Sequence, residues 1–112
     1  MKPHPGLTPR QEARAERNLY AAMLTLRTVE EMRAFFRDLC TPAEIEAMSD
    51  RWAVVEHLER GLPYREVHRL TGVSVTTVAR VARYRAGGSG GYATAARRVS
   101  AGTARPAGAG AR

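Results

Sequence analysis

The segment of residues 63–85 constrains the fold most, because it reads as a helix, a tight turn and a second helix. Gly72 stands where the turn requires a left-handed backbone conformation that a side chain would disfavour. Ser74 occupies an N-cap position, where its hydroxyl can accept a backbone N–H of the next helical turn. The apolar residues spaced to hold the two helices together are Val67, Leu70, Val78 and Val81. This spacing predicts a helix-turn-helix unit.

The outer face of the second helix in this unit is small, polar and cationic. Its exposed positions are expected to be Val75, Thr76, Ala79, Arg80 and Arg83. A face of this kind can approach base edges in the DNA major groove without a steric conflict. Ser74 and Thr77 add hydroxyls for phosphate or base contacts, and Val75 suits a thymine methyl group. An αα-hairpin inside a helical bundle is the alternative interpretation of the same pattern.

Positive charge is concentrated on the predicted helix-turn-helix and on the residues that follow it. Residues 1–62 carry nine Lys and Arg against ten Asp and Glu, a net charge of −1. Residues 63–86 carry five Arg against one Glu, and residues 87–112 carry four Arg and no acid, a net charge of +4 each. The five arginines of the middle segment are Arg65, Arg69, Arg80, Arg83 and Arg85. A field of one sign at this place predicts double-stranded DNA as the partner.

Helical signals continue through the rest of the chain, and no segment shows the alternation typical of a strand. Leu19, Met23 and Leu26 share one face of a predicted first helix. Capping boxes at residues 28–31 and 41–44 predict the starts of two more helices. The third helix carries an apolar stripe that we expect to pack partly against another subunit, and residues 92–99 form a short last helix. We therefore expect an all-α fold.

The chain divides into three parts on this interpretation. Residues 1–16 form a flexible N-terminal arm, residues 17–99 a helical domain, and residues 100–112 a disordered basic tail. A foldable part of roughly eighty residues has a small core, which favours a homodimer. The single cysteine, Cys40, excludes an internal disulfide and is expected to be a buried thiol. We expect no signal peptide, no membrane-spanning segment and a cytoplasmic location.

Two sets of residues resemble a known family. The first set is 39–48 (Leu-Cys-Thr-Pro-Ala-Glu-Ile-Glu-Ala-Met), Arg51, 55–61 (Val-Glu-His-Leu-Glu-Arg-Gly) and 76–80 (Thr-Thr-Val-Ala-Arg), which is similar to the bacterial Trp repressor family. The second set is 19–23, 28–31, 36–41 and the Gly-Gly-Tyr at 90–92, which is similar to the YerC/YecD branch of that family. The resemblance covers roughly residues 17–99. It implies an intertwined, all-helical homodimer that binds a palindromic operator through two helix-turn-helix units.

The resemblance also implies positions that read bases. These positions correspond to Arg65, Val75, Thr76 and Ala79, and the residues themselves add Arg69, Ser74, Thr77, Arg80 and Arg83. His68 replaces the alanine commonly found where the two helices of this motif approach most closely. Its ring would either splay the helices or turn outward, and the sequence leaves both alternatives open.

A ligand site is implied by the resemblance as well. Two arginines that hold an aromatic corepressor in the family correspond to Arg51 and Arg80, and a neighbouring threonine corresponds to Thr41. Guanidinium planes stack on aromatic faces and bind carboxylates in a bidentate manner. Two departures alter this site: Val81 replaces a glycine, and Tyr84 replaces a serine and would fill or cap the space. We expect no resident cofactor; a small-molecule corepressor is an alternative, and tryptophan is disfavoured.

The expected function is a sequence-specific DNA-binding transcriptional regulator that represses as a dimer. The alternative is a non-enzymatic adaptor or a recombinase-type DNA-binding module without a catalytic domain. His4, His57 and His68 lie on different segments, and neither metal-ligand spacing nor a glycine-rich phosphate loop accompanies them. We therefore expect no catalytic residues, no metal and no enzymatic activity.

Overall fold

The computed structural model describes residues 5–103, and this part of the chain contains helices and no strand. The helices are α1 (Pro9–Leu24), α2 (Val29–Leu39), α3 (Pro42–Glu59), α4 (Tyr64–Thr71), α5 (Val75–Gly87) and α6 (Gly91–Thr103). The all-α prediction is therefore confirmed. The described chain divides into two units, residues 5–42 and residues 43–103, which are taken in turn.

The first helix begins earlier than the predicted arm allows. Thr8 and Gln11 form a capping box: the Gln11 backbone N–H donates to Thr8 Oγ1 at 3.1 Å, and the Thr8 N–H donates to Gln11 Oε1 at 2.8 Å. Pro9 takes the first helical position, where its missing N–H breaks no hydrogen bond. Residues 9–16 are therefore helical, and their assignment to a flexible arm is corrected.

The second helix starts at the predicted cap, with one change of partner. The Glu31 backbone N–H donates to Thr28 Oγ1 at 3.0 Å, as the capping box predicts. The Glu31 carboxylate accepts from the backbone N–H of Arg27 at 2.7 Å, rather than from Thr28. The Glu31 carboxylate therefore satisfies the backbone N–H of the residue that precedes the N-cap.

The unit of residues 5–42 buries none of its described side chains in α1 or α2. Leu24 is 85% exposed and Val29 is 74% exposed, although both are large and apolar. Cys40 is only partly buried, which corrects the expectation of a buried thiol. These helices thus form without an apolar core inside this unit.

The unit of residues 43–103 holds a core of valines. Val54 and Val55 of α3, Val67 of α4, and Val78 and Val81 of α5 are almost completely buried. Leu58, Val73 and Ala96 complete the core. Tyr92 of α6 packs on Trp52 of α3, with ring centroids 6.5 Å apart. The core therefore joins all four helices of this unit.

Two sequence expectations for this unit need correction. Leu70 was expected in the interface of α4 and α5 but is 48% exposed, and Val73 from the turn is buried in the core instead. Helix α6 continues to Thr103, so residues 100–103 of the predicted tail are helical. The rest of that tail, 104–112, lies outside the described residues. None of the helices in the described range is long and apolar enough to cross a membrane.

Candidate nucleic-acid interface

The turn between α4 and α5 has the predicted geometry. Gly72 ends α4 with a φ of 77°, and its N–H donates to the His68 carbonyl at 2.8 Å. A Cβ at this position would meet no atom within 4 Å, so the backbone conformation alone demands glycine. Ser74 caps α5, because its Oγ accepts the Thr77 backbone N–H at 3.1 Å. Residues 64–87 are therefore a helix-turn-helix.

A hydrogen bond from the His68 side chain stabilises this turn. Its Nδ1 lies 2.7 Å from the Val73 carbonyl oxygen, and because a carbonyl only accepts, Nδ1 is the donor. Thr71 Oγ1 donates to the Val67 carbonyl at 2.7 Å and accepts the Val73 N–H at 3.1 Å. The ring of His68 thus bonds to the backbone of the turn, an arrangement that neither of the two alternatives from the sequence included.

The outer face of α5 is largely the predicted one. Val75, Thr76, Arg80 and Arg83 are exposed, as are Ser74 before the helix and Arg65 and Arg69 on α4. Ala79 and Thr77 are partly buried. The Thr77 hydroxyl accepts from Ser74 Oγ at 3.1 Å, so these two hydroxyls are also partners in the helix cap.

Two arginines of this unit have carboxylate partners. Arg69 donates two hydrogen bonds to the Glu66 carboxylate, from Nε to Oε1 at 3.0 Å and from Nη2 to Oε2. The hydrogen bonds from Arg69 lower the pKa of the Glu66 carboxyl, and the same contact raises the pKa of Arg69. Arg85 Nε donates to Glu59 Oε2 at 2.8 Å and links α5 to α3. The charges of Arg69 and Arg85 are therefore offset locally.

The other two arginines of α5 lie over an aromatic ring. The guanidinium carbons of Arg80 and Arg83 are 4.9 Å and 5.6 Å from the centre of the Tyr84 ring. Within residues 5–103 neither arginine forms an ion pair with a carboxylate. Their positive charges are thus held in place without being neutralised.

Two of the predicted ligand residues are in contact with each other. Arg80 and Tyr84 are in contact, Arg51 is exposed on α3, and Thr41 is exposed in the other unit, directly before α3. A groove of about 320 Å³ lies elsewhere, lined by Trp52 and other α3 residues and by Ala96 and other α6 residues. Across residues 5–103 no three His, Cys, Asp or Glu side chains are arranged to hold a metal ion.

Comparison with known proteins places this geometry in a family. The model of the family described as Trp repressor protein matches residues 16–100. The chain belongs to the Trp repressor family. This is a family of DNA-binding regulators, and the suggested resemblance to its YerC-like branch is also confirmed by the relatives.

One curated relative and two solved structures illustrate the match. YerC of Bacillus subtilis (strain 168), an uncharacterized protein, is 37% identical over 81 residues, which are 72% of this chain and 78% of YerC. The crystal structure of a TrpR-like protein from Eubacterium eligens has a TM-score of 0.74 at 33% identity, covering 78% of this chain and 90% of that one. A Trp repressor candidate from Staphylococcus aureus has a TM-score of 0.74 at 35% identity, covering 77% of this chain and 86% of that one.

The partners of these arginines were not predicted from the sequence. Glu66 and Arg69 are three residues apart, and Arg80 and Tyr84 are four apart, so each pair shares a helix face and could have been found by its spacing. Glu59 and Arg85 are 26 residues apart. Only the packing of α3 against α5 brings that pair together.

Proposed function

We propose that this protein is a sequence-specific DNA-binding transcriptional regulator that represses by occupying a palindromic operator as a homodimer. The observation that carries the proposal is the exposed outer face of α5, which follows a capped turn and presents Arg80 and Arg83 without carboxylate partners. Phosphates supply affinity to such a face, and base edges supply specificity.

The unit of residues 5–42 supports the dimer. Neither α1 nor α2 buries a side chain, and Leu24, Val29 and Leu39 are all at least half exposed. Covering apolar surface of this extent with another chain removes it from water, which is favourable in free energy. In a dimer with two-fold symmetry, two recognition helices would read half-sites roughly 34–36 Å apart, one turn of the DNA helix.

A mobility-shift series with genomic fragments, including the region upstream of the gene, tests the proposal. With ~6–10 phosphate contacts, affinity for a bound fragment falls by roughly 10³–10⁵ between 50 and 200 mM salt. Selection of bound DNA from a random pool should return a palindrome. Salt-insensitive binding, or binding to no fragment at all, would contradict the proposal.

Replacement of one arginine locates the interface. Arg80→Ala should weaken operator binding by about 1–3 kcal/mol, and selected sequences should lose preference at one position of each half-site if Arg80 contacts a base. Arg37→Ala removes the same charge from an exposed position of α2 and serves as the control. Equal losses in both variants would show a nonspecific charge effect.

Two further experiments address the alternatives. A non-enzymatic adaptor or a recombinase-type module could be a monomer, whereas the proposed repressor sediments at twice the mass of the chain.

Control by a small ligand is the second candidate, because Arg80 and Tyr84 lie together on an exposed surface. Repeating the mobility shift with pooled cell metabolites would reveal such a ligand as a change in operator affinity.

A further inference from the structure

Four arginines of the helix-turn-helix divide into two pairs. Arg69 and Arg85 are bound by glutamates, whereas Arg80 and Arg83 both lie over the ring of Tyr84. A carboxylate partner competes with a phosphate for the same N–H groups of an arginine. An aromatic face leaves the positive charge intact. The N–H groups of Arg80 and Arg83 therefore remain available to an anion such as a phosphate.

The geometry allows the ring and a phosphate to be bound together. Arg80 and Tyr84 are four residues apart and share one face of α5, while Arg83 reaches the same ring from the neighbouring position. A cation over a ring uses the face of the guanidinium plane, and the N–H donors lie in that plane and point outward. Tyr84 is 47% exposed, so solvent and a duplex both have access to this cluster.

We propose that Tyr84 is a positioning residue for DNA binding, which holds Arg80 and Arg83 as a pair that contacts the phosphates of one duplex. The inference rests on the proposed DNA-binding function and specifies which arginines bind the backbone and how they are held. Tyr84 itself acts through them and need not touch DNA.

The expected gain comes from ordering the side chains in advance. Arginine loses considerable side-chain freedom when it is fixed at an interface, and a ring that already restricts two arginines removes much of that loss. Two side chains ordered at binding rather than before it correspond to an affinity loss of about five- to 150-fold. Tyr84→Leu should therefore weaken operator binding by this factor.

The experiment is a double-mutant cycle, measured by fluorescence anisotropy with a labelled duplex that the unmodified chain binds. Tyr84→Leu is made in the unmodified chain and in an Arg80→Ala/Arg83→Ala background. Tyr84→Phe keeps the ring and should bind within about twofold of the unmodified chain. In the double-alanine background, Tyr84→Leu should change the affinity by less than about twofold, because the groups it positions are gone.

Tyr64→Leu is the matched control, since Tyr64 is a tyrosine of the same unit with an exposure of 46%. Equal losses from Tyr84→Leu in both backgrounds, or no loss in either, would overturn the inference while DNA binding by the unmodified chain stands. Failure of the unmodified chain to bind any duplex would overturn the proposed function instead. Thermal unfolding of each variant checks that the exposed substitution leaves the fold intact.

A second measurement needs no DNA. The Nε–Hε resonances of Arg80 and Arg83 should be shifted by the ring current of Tyr84, and the shift should vanish in Tyr84→Leu and persist in Tyr84→Phe. Unchanged resonances in Tyr84→Leu would show that the ring does not hold the arginines in solution. That result would overturn the inference whatever the DNA experiment gives.

Discussion

The two units of the chain follow the same local rules and differ in what they bury. Residues 43–103 surround eight buried apolar residues, whereas α1 and α2 in residues 5–42 bury none, although both helices have side-chain caps. Caps and propensity fix where a helix begins, but short helices persist in water mainly through packing of an apolar face. The comparison indicates that the second unit carries its own core and that the first needs another surface.

The largest effect is expected from a charge in the core of the second unit. Val78→Asp places a carboxylate at a fully buried position of α5, and an unpaired buried charge costs several kcal/mol, enough to unfold a small domain. Urea unfolding followed by circular dichroism measures the loss. Val75→Asp, on the same helix but 50% exposed, should change stability by less than about 0.5 kcal/mol. Equal urea midpoints for the two variants would show that the core is assigned incorrectly.

A charge on the first unit should act on assembly rather than on folding. Leu24 is 85% exposed, so Leu24→Asp would leave a lone chain unaffected. In the proposed dimer each chain loses apolar burial of about 1.5–3 kcal/mol, so the two copies together raise the dissociation constant by roughly 10²–10⁴-fold. Sedimentation equilibrium measures this, with Asn18→Asp on α1 as the charge control. If Leu24→Asp dissociates no more readily than the control, this face is not covered by a second chain.

Substitutions at two glycines of the second unit distinguish the cost of backbone strain from the cost of packing. Gly72→Ala forces a Cβ into a left-handed conformation where no neighbouring atom lies within 4 Å, so its cost of roughly 1–2 kcal/mol is purely conformational. Gly87→Ala adds the same methyl group at the end of α5, where the space is equally open and φ is not positive. We expect Gly87→Ala to be neutral or slightly stabilising in thermal unfolding. The opposite ranking would contradict the assigned turn.

A smaller effect is expected from releasing an arginine within the second unit. Glu66→Gln removes the partner of Arg69, which is then available to a phosphate. Because exposed ion pairs contribute little, operator binding should tighten by only about two- to fivefold. The slope of log affinity against log salt should steepen by about 0.9 for one added contact. Glu30→Gln removes the same charge from α2, and an equal gain there would rule out a specific role for Glu66.

The smallest effect is the pH dependence of the same ion pair. The pKa of Glu66 is lowered from its ordinary value of 4.5 by the hydrogen bonds from Arg69. The stabilisation is therefore complete above that value and is lost as the pH falls through the lower pKa of the folded protein. Between about pH 6 and pH 3 the melting temperature of the unmodified chain should fall slightly more than that of Glu66→Gln. Parallel curves would show that the pair adds nothing in solution.

The parts predicted well are those encoded by neighbouring residues. Gly72 and Ser74 define the turn because backbone conformation and capping depend on a few adjacent positions. The start of α1 was placed too late because proline is common both in loops and at the first position of a helix, and only the Thr8–Gln11 hydrogen bonds separate these cases.

The parts predicted poorly depend on tertiary packing. Leu70 and Val73 are both apolar, and only the approach of α4 to the core decides that Val73 is buried and Leu70 exposed. The exposed face of α5 could be derived from helical periodicity. Which arginines carry a free charge could not, because the Glu59–Arg85 pair joins two helices whose contact the sequence does not reveal.

The bond between His68 and the Val73 carbonyl has a consequence for what else this side chain can bind. It is made by Nδ1, so only Nε2 of the ring remains for a hydrogen bond to another molecule. A partner that bound His68 through Nε2 would leave the Nδ1 contact in place. Such a partner would therefore sit beside the turn while the angle between the two helices stays the same.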